Sequence, residues 1–260
     1  MTAPLFHLSP GALDGVGPGS VVTVTGAEAH HAATVMRLAP GEQVQLSDTA
    51  HRRIDGVVVS SAAGELGVEV RTVDDEPAVL PRLVLVQALA KEKRDLQAVE
   101  SATELGVDAI IPWDAERSVA RWKAGRETKK HAEWVSTVRT AAKQTRRTAI
   151  PEVHPLHSTG QYCQQLRHRP EVAAVALHEI EEVSLRTALG AAGALAAGTE
   201  IAELHLLVGP EGGISDRELG QLAEAGALTA RLGRSVLRSS TAGPAALAAA
   251  QLLLGRWDWP

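Results

Sequence analysis

Residues 208–215 read Val-Gly-Pro-Glu-Gly-Gly-Ile-Ser and close an apolar run that begins near Leu204. Glycine lets the backbone bend freely and lets a ligand approach main-chain atoms without meeting a Cβ, while Pro210 stiffens the same loop. The spacing is neither G-x-G-x-x-G nor a P-loop, and no Gly-Lys-Ser/Thr follows, so neither a dinucleotide nor a phosphate cradle is indicated. Glu211 would repel phosphate but tolerates a ligand that carries positive charge. Ser215 and Glu218 have the spacing of a capping box, which predicts a helix starting at 216. A second stretch, 232–241, reads Leu-Gly-Arg-Ser-Val-Leu-Arg-Ser-Ser-Thr. Ser239, Ser240 and Thr241 are candidate N-caps of a closing helix, with Pro244 expected in its first turn. Arg238 would then stand beside a helix N-terminus, where the dipole disfavours a cation. An anionic or electron-rich ligand would compensate it. A third stretch, Leu177-His178-Glu179, ends another apolar run.

Other chemistries find less support. Ser239 and Ser240 have no nucleophile elbow around them, so a hydrolase is not indicated. His30 and His31 are adjacent, would point in different directions on a helix, and have no further ligands near them in sequence, so no metal is expected. Cys163 is the only cysteine, which excludes an internal disulfide and a metal site built from cysteine pairs.

These three stretches need elements that bring them together. From residue 83 apolar runs alternate with helical patterns: strands at 83–89, 107–113, 172–177, 204–208 and 229–232, and helices at 91–106, 128–147, 182–197, 216–225 and from Thr241 on. That rhythm predicts an α/β domain with a parallel sheet. In such sheets ligands bind beyond the carboxyl ends of the strands, and all three unusual stretches sit there. Residues 1 to about 72 differ. Short Val-rich runs at 20–26, 42–48, 53–61 and 66–73, with turns expected at 40–43 and 62–67 and one helix at 28–38, predict a small β-rich barrel or sandwich. The acidic segment 74–81, with two prolines, reads as a linker.

The chain has 260 residues and a net charge of −5, unevenly spread. Between Arg117 and Ala149 ten Lys and Arg face only Glu127 and Glu133, so this segment carries +8 and the remainder −13. Such polarisation suits an anionic polymer on one face, or simply a solvated basic helix. No apolar stretch reaches membrane-spanning length and the N-terminus lacks a secretory pattern, so a cytoplasmic location is expected.

Taken together, 208–215 followed by 232–242 resembles the ribosomal RNA small-subunit methyltransferase E family, SPOUT-class enzymes that methylate N3 of a uridine in 16S ribosomal RNA. The resemblance covers almost the whole chain. Residues 30–42 resemble the signature of the family's N-terminal PUA-like domain, 87–119 the opening of its catalytic domain, and 141–153 the end of its basic helix. It implies a PUA-like RNA-binding β-barrel over 1–73 and a SPOUT methyltransferase domain over 82–260. That domain would carry a C-terminal trefoil knot, an S-adenosylmethionine site in the knot and a homodimer. By position the cofactor residues would be Leu177, His178, Glu179, Val208, Gly209, Pro210, Glu211, Gly213, Leu232, Gly233, Ser235, Val236, Leu237 and Thr241. Arg238 would be catalytic, stabilising charge on the uracil oxygens, and Arg37, Arg117, Arg121, Lys143, Arg146 and Arg147 would meet RNA. The proton on the uracil imide would pass to water or to Glu211. The family often has Leu-Arg-Thr-Glu-Thr-Ala where this chain has Leu237-Arg238-Ser239-Ser240-Thr241-Ala242, so the carboxylate expected at 240 is missing. A related enzyme acting on a ribose hydroxyl or another base, or a non-catalytic RNA-binding assembly factor, are the competing readings.

Overall fold

The computed structural model describes residues 3–62 and 64–258. It divides into two compact units, Met1–Ala78 with Ala142–Ile150, and Val79–Ala141 with Pro151–Pro260.

The first unit is a single five-stranded sheet of order β1-β3-β4-β5-β2. Its strands are β1 (Leu5–His7), β2 (Val21–Thr25), β3 (Gln43–Ser47), β4 (Arg52–Ala62) and β5 (Glu65–Asp75). Alternating side chains from all five strands, Phe6, Val24, Leu46, Ile54 and Val68 among them, meet in one apolar cluster. The sheet therefore curls until its two edge strands share a core, as a barrel does. Register shifts at Asp55/Gly56 and Val58/Ser60 supply the bend. A Cβ on Gly56 would lie 2.4 Å from Val68 Cγ1, so only glycine lets the strands close up there. The turn expected over 62–67 is tighter than that, since β5 already begins at Glu65; Ala63 lies outside the described residues. The helix expected over 28–38 is instead α1 (Gly26–His30) running into a π-helical turn at His31–Val35. β1 has too few residues to show a period in the sequence.

The segment Ala142–Ile150, which sequence order alone would not group with the N-terminal strands, is bonded into this unit. Ser47 Oγ donates to the Thr148 carbonyl at 2.6 Å, and Arg53 donates to Thr148 Oγ1 at 2.8 Å and to the Arg146 carbonyl at 2.7 Å.

The second unit is built on a parallel sheet of order β12-β10-β11-β6-β7-β8, with β9 also on β7. Its strands are β6 (Arg82–Ala88), β7 (Ala109–Asp114), β8 (Glu152–Val153), β9 (His157–Ser158), β10 (Val172–Leu177), β11 (Glu203–Val208) and β12 (Leu228–Ala230). The helices are α2 (Arg94–Glu104), α3 (Glu127–Gln144), α4 (Thr159–Leu166), α5 (Leu185–Ala191), α6 (Asp216–Glu224) and α7 (Ser239–Leu253). The continuous apolar runs of β6 and β11 are buried along their length, as expected of strands covered on both faces. On one face Val84, Val86 and Leu207 pack with Tyr162 and Cys163 of α4 and Leu222 of α6. On the other, α7 packs on α2, β6 and β11. Gly243 permits this, because a Cβ there would lie 2.8 Å from Leu85 Cδ1.

Several expected boundaries shift. The helix expected over 182–197 is only α5, since 192–198 breaks into turns at Gly193 and Gly198, both with positive φ. α4 is a helix beyond those the sequence pattern predicts; Ser158 and Gln161 form the capping box that starts it. α7 begins at Ser239, not after it: Arg238 holds the cap position, with no side-chain cap, so Ser239, Ser240 and Thr241 are helical and Pro244 falls past the first turn. Among the described residues no helix is long and apolar enough to cross a membrane, and no group of three or more His, Cys, Asp or Glu is placed to hold a metal.

Candidate functional site

Because neighbouring strands of the second unit run parallel, the carboxyl ends of β6, β10, β11 and β12 open on one edge of the sheet. A cavity of about 440 Å³ lies there. Its walls come from 177–179 after β10, 208–214 after β11 and 231–239 after β12, joined by Arg94, Arg117 and Ala242. The three stretches singled out from sequence thus meet in one place. Every residue expected to hold a cofactor lines the cavity except Thr241, which is exposed on α7 and outside it; Arg238 lines it too.

The glycine loop is held from below. Ser215 accepts from the Glu218 amide, and Glu218 reaches back to the Ser215 amide at 3.2 Å, completing the capping box. The Glu218 carboxylate is 1% exposed yet among the described residues pairs with no Lys or Arg; it accepts from Thr159 Oγ1 at 2.6 Å and from the Glu116 amide at 2.8 Å, while Trp113 Nε1 donates to Thr159. Burying a carboxylate is tolerable only when its oxygens are filled in this way. Ser215 Oγ also donates to Glu116, which holds that carboxyl below its ordinary range.

From above, Arg117 donates to the carbonyls of Gly212 and Ile214 at 3.3 and 3.4 Å. A Cβ on Gly212 would sit 3.1 Å from Arg117 Cβ, so the glycine is what lets the clamp close. Glu211 accepts from the Lys91 amide at 3.1 Å and lies 3.8 Å from Arg94. That contact ties the glycine loop to the 88–94 connection, where Glu92 and Lys93 both adopt left-handed backbone, unusual for non-glycine residues.

Five arginines and two carboxylates surround the cavity, and they divide their work. Arg231 donates to the carbonyls of Gly233 at 2.7 Å and Arg234 at 3.0 Å, shaping the last loop. Arg117 and Arg94 are engaged as above. Among the described residues the guanidinium groups of Arg234 and Arg238 make no hydrogen bond or ion pair, and both are exposed. The sequence places Arg234 in the 232–238 loop but assigns no role to it, to Arg94 or to Arg231. Arg94 could have been found by applying the strand-end rule to β6, whose apolar run it follows.

The residues expected to meet RNA fare differently. Arg121 donates to Asp114 at 2.6 Å and to the Ala115 and Glu116 carbonyls, so it braces the chain after β7. Lys143 bonds both oxygens of Glu28 at 2.8 Å and lies 5.7 Å from the Phe6 ring centroid, an internal pair of the first unit. Arg146, also in the first unit, has left-handed backbone and offers its carbonyl to Arg53, while the Arg147 carbonyl bonds the His7 ring at 2.9 Å. Arg37 is exposed beside exposed Val35 and Met36.

Residues 77–251 match the RNA methyltransferase domain, and residues 24–69 match the RNA methyltransferase PUA domain. The chain is 42% identical over 240 residues to the ribosomal RNA small subunit methyltransferase E of Mycobacterium bovis, covering 92% of this chain and 89% of that one. It is 29% identical over 229 residues to the protein of the same name from Bacillus subtilis, covering 87% and 88%. A ribosomal RNA small subunit methyltransferase E from Neisseria gonorrhoeae, solved bound to S-adenosyl methionine, superposes with a TM-score of 0.79 at 26% identity, covering 97% of this chain and 98% of that one. A Legionella pneumophila methyltransferase solved with the bound cofactor SAM gives 0.78 at 25% identity, covering 97% and 98%.

Proposed function

Since this chain belongs to the ribosomal RNA small subunit methyltransferase E family, we propose that it transfers a methyl group from S-adenosylmethionine to N3 of a uridine in 16S ribosomal RNA. The observation that carries the reading is the meeting of 177–179, 208–214 and 231–239 around one cavity with Arg238 in its wall.

The cavity suits that cofactor on chemical grounds. The glycine loop offers main-chain groups, Leu177, Val208, Val236 and Leu237 offer apolar surface to a purine, and Glu179 and Glu211 are carboxylates beside which a sulfonium is tolerated. When bound, the cofactor supplies an electrophilic methyl group. The protein's own part is to hold a uracil whose N3 has lost its proton, since the protonated nitrogen has no free electron pair. The resulting negative charge spreads onto the two flanking oxygens, and the unpaired guanidinium of Arg238 is the group placed to stabilise it. Glu211 accepts from the Lys91 amide and lies near Arg94 through one carboxylate oxygen, so the N3 proton passes either to water or to its other oxygen.

The base must be presented unstacked, as single-stranded RNA allows. Arg37 and the exposed cations of α3 would hold phosphates. The family's C-terminal trefoil knot, homodimer and cytoplasmic location form part of this reading. Support for the first comes from the return of 231–239 to the ends of β10 and β11, and for the second from exposed Leu252 and Trp257, apolar surface that a second copy would cover.

The test is methyl transfer from labelled S-adenosylmethionine to small ribosomal subunits, followed by mapping of the modified atom. Label at N3 of one 16S uridine is expected. Label on a ribose hydroxyl or another base would replace the substrate assignment, and absence of cofactor binding would favour an RNA-binding assembly factor.

A further inference from the structure

The first turn of α7 forms part of the cavity wall. Arg238, Ser239 and Ala242 all line it, and the helix continues for 15 residues, long enough for its N-terminal partial charge to be fully developed. No side chain caps this end, and its first turn contains no acidic residue. The carboxylates nearest in the cavity wall, Glu179 and Glu211, belong to the other two loops. Arg238, at the cap position, adds a second positive charge where the dipole opposes it.

A separate observation points into the same place. Ser239 is 6% exposed, and its Oγ is buried without a hydrogen-bond partner. A buried hydroxyl left unpaired is costly, and at a cavity wall a bound ligand is one way to complete it. The helix end, the free guanidinium and the unpaired hydroxyl share one chemical preference: a negatively charged oxygen.

We infer that Ser239 Oγ, together with the backbone amides of Ser239 and Ser240 at the start of α7, binds an anionic ligand oxygen alongside Arg238, and that this oxygen is the exocyclic oxygen of the N3-deprotonated uracil. The inference rests on the function proposed above and adds to it a second donor. Two donors on different atoms matter because the charge to be held is shared by two oxygens, one on each side of N3. An arginine and a hydroxyl one residue apart at the end of a rigid helix are placed in advance of the reaction, which is what makes such donors effective. The carboxylate of the cofactor's methionine moiety offers the same chemistry from a second source.

The experiment compares the full-length protein with its Ser239→Ala and Ser239→Thr variants. Three quantities are read: the thermal midpoint without ligand, S-adenosylmethionine affinity by calorimetry, and single-turnover methyl transfer to small subunits at saturating cofactor across pH. Because the hydroxyl gives up no partner, Ser239→Ala is expected to keep or raise the thermal midpoint. Its transfer rate should fall ~100-fold, the size seen when one such donor is removed, with the rising limb of the pH–rate profile displaced to higher pH and cofactor affinity unchanged. Ser239→Thr keeps a hydroxyl and should recover most of the rate. Weakened cofactor affinity with an intact rate at saturation would place the methionine carboxylate in the site instead, leaving the anion site and moving its occupant. If Ser239→Ala alters neither affinity nor rate, the site is refuted. Should the unaltered protein bind the cofactor yet transfer nothing to small subunits, the functional reading fails by itself, and the affinity comparison still decides whether Ser239 meets an anion.

Discussion

Arg238 is the residue on which the proposed chemistry turns. Its guanidinium is exposed, lines the cavity and has no partner among the described residues, so truncation removes little from the fold. Arg238→Ala should lower the single-turnover transfer rate ~100- to 1000-fold at saturating cofactor while leaving the thermal midpoint nearly unchanged. Arg238→Lys should rescue only part of the loss, because an ammonium lacks the planar fork that reaches a flat ligand with two parallel bonds. A near-normal rate in Arg238→Ala would remove the assignment. The remaining arginines show why counting cations along the sequence is a poor guide. Arg117 and Arg121 spend their hydrogen bonds on carbonyls and on Asp114, and Lys143 spends its on Glu28. Residue type is visible in a sequence; whether a guanidinium is already occupied is decided by groups far away along the chain.

At the scale of elements, the glycine loop depends on space. A Cβ on Gly209 would lie 2.8 Å from Ile214 Cγ1 and 3.2 Å from the Ile214 amide nitrogen, inside the same loop. Gly209→Ala must therefore shift the backbone that faces the cavity. An overpacking strain of about 1–3 kcal/mol corresponds to roughly 5- to 150-fold weaker S-adenosylmethionine binding, measurable by calorimetry. Gly220, inside α6 with nothing near its missing Cβ, is the contrast. Gly220→Ala should leave cofactor affinity alone and raise stability by about 0.5–1 kcal/mol, the helix propensity difference.

The opposite end of the sheet carries a different device. Tyr162 O–H donates to His205 Nδ1 at 2.9 Å, and His205 Nε2–H donates to Glu203 at 2.9 Å. Arg169 and Arg82 flank the same carboxylate at 3.2 and 3.3 Å. The bond from His205, then the arginine charges, hold the Glu203 carboxyl down at about 2, while burial pushes His205 below its ordinary 6.5. As pH falls below 6.5 the unfolded chain gains a proton on His205 that the folded chain refuses. As it falls from 4.5 toward 2 the unfolded chain protonates Glu203 first. Both effects remove stability with acid. Thermal midpoints should fall from pH 7 to pH 3, and Glu203→Gln should flatten the part of that fall below pH 5. An equal slope in the variant would show that Glu203 is not its source.

For the whole molecule, the net charge of −5 conceals a strongly basic segment, and salt reveals what that segment does. Affinity for small-subunit RNA should fall linearly on a double-logarithmic salt plot as counterions are released. Arg37→Ala should reduce the slope by about 1, one phosphate contact's worth. Lys143→Ala should leave the slope unchanged and instead lower the thermal midpoint, because its ammonium already neutralises Glu28 and covers Phe6. If Lys143→Ala lowered the slope as much as Arg37→Ala, its ion pair would have to open on RNA.

What the sequence determined by itself was local. Unbroken apolar runs dictated the buried parallel strands, Ser215 and Glu218 dictated the start of α6, and the glycines of 208–215 marked a loop that something approaches closely. These signals depend on neighbours a few residues apart. Tertiary structure alone decided the rest: that Ala142–Ile150 belongs with the N-terminal sheet, that α7 starts at an uncapped arginine, which basic residues are spent internally, and that Ser239 keeps an unpaired hydroxyl. Each of those turns on hydrogen-bond partners and packing distances between segments remote in the chain, which no local pattern encodes.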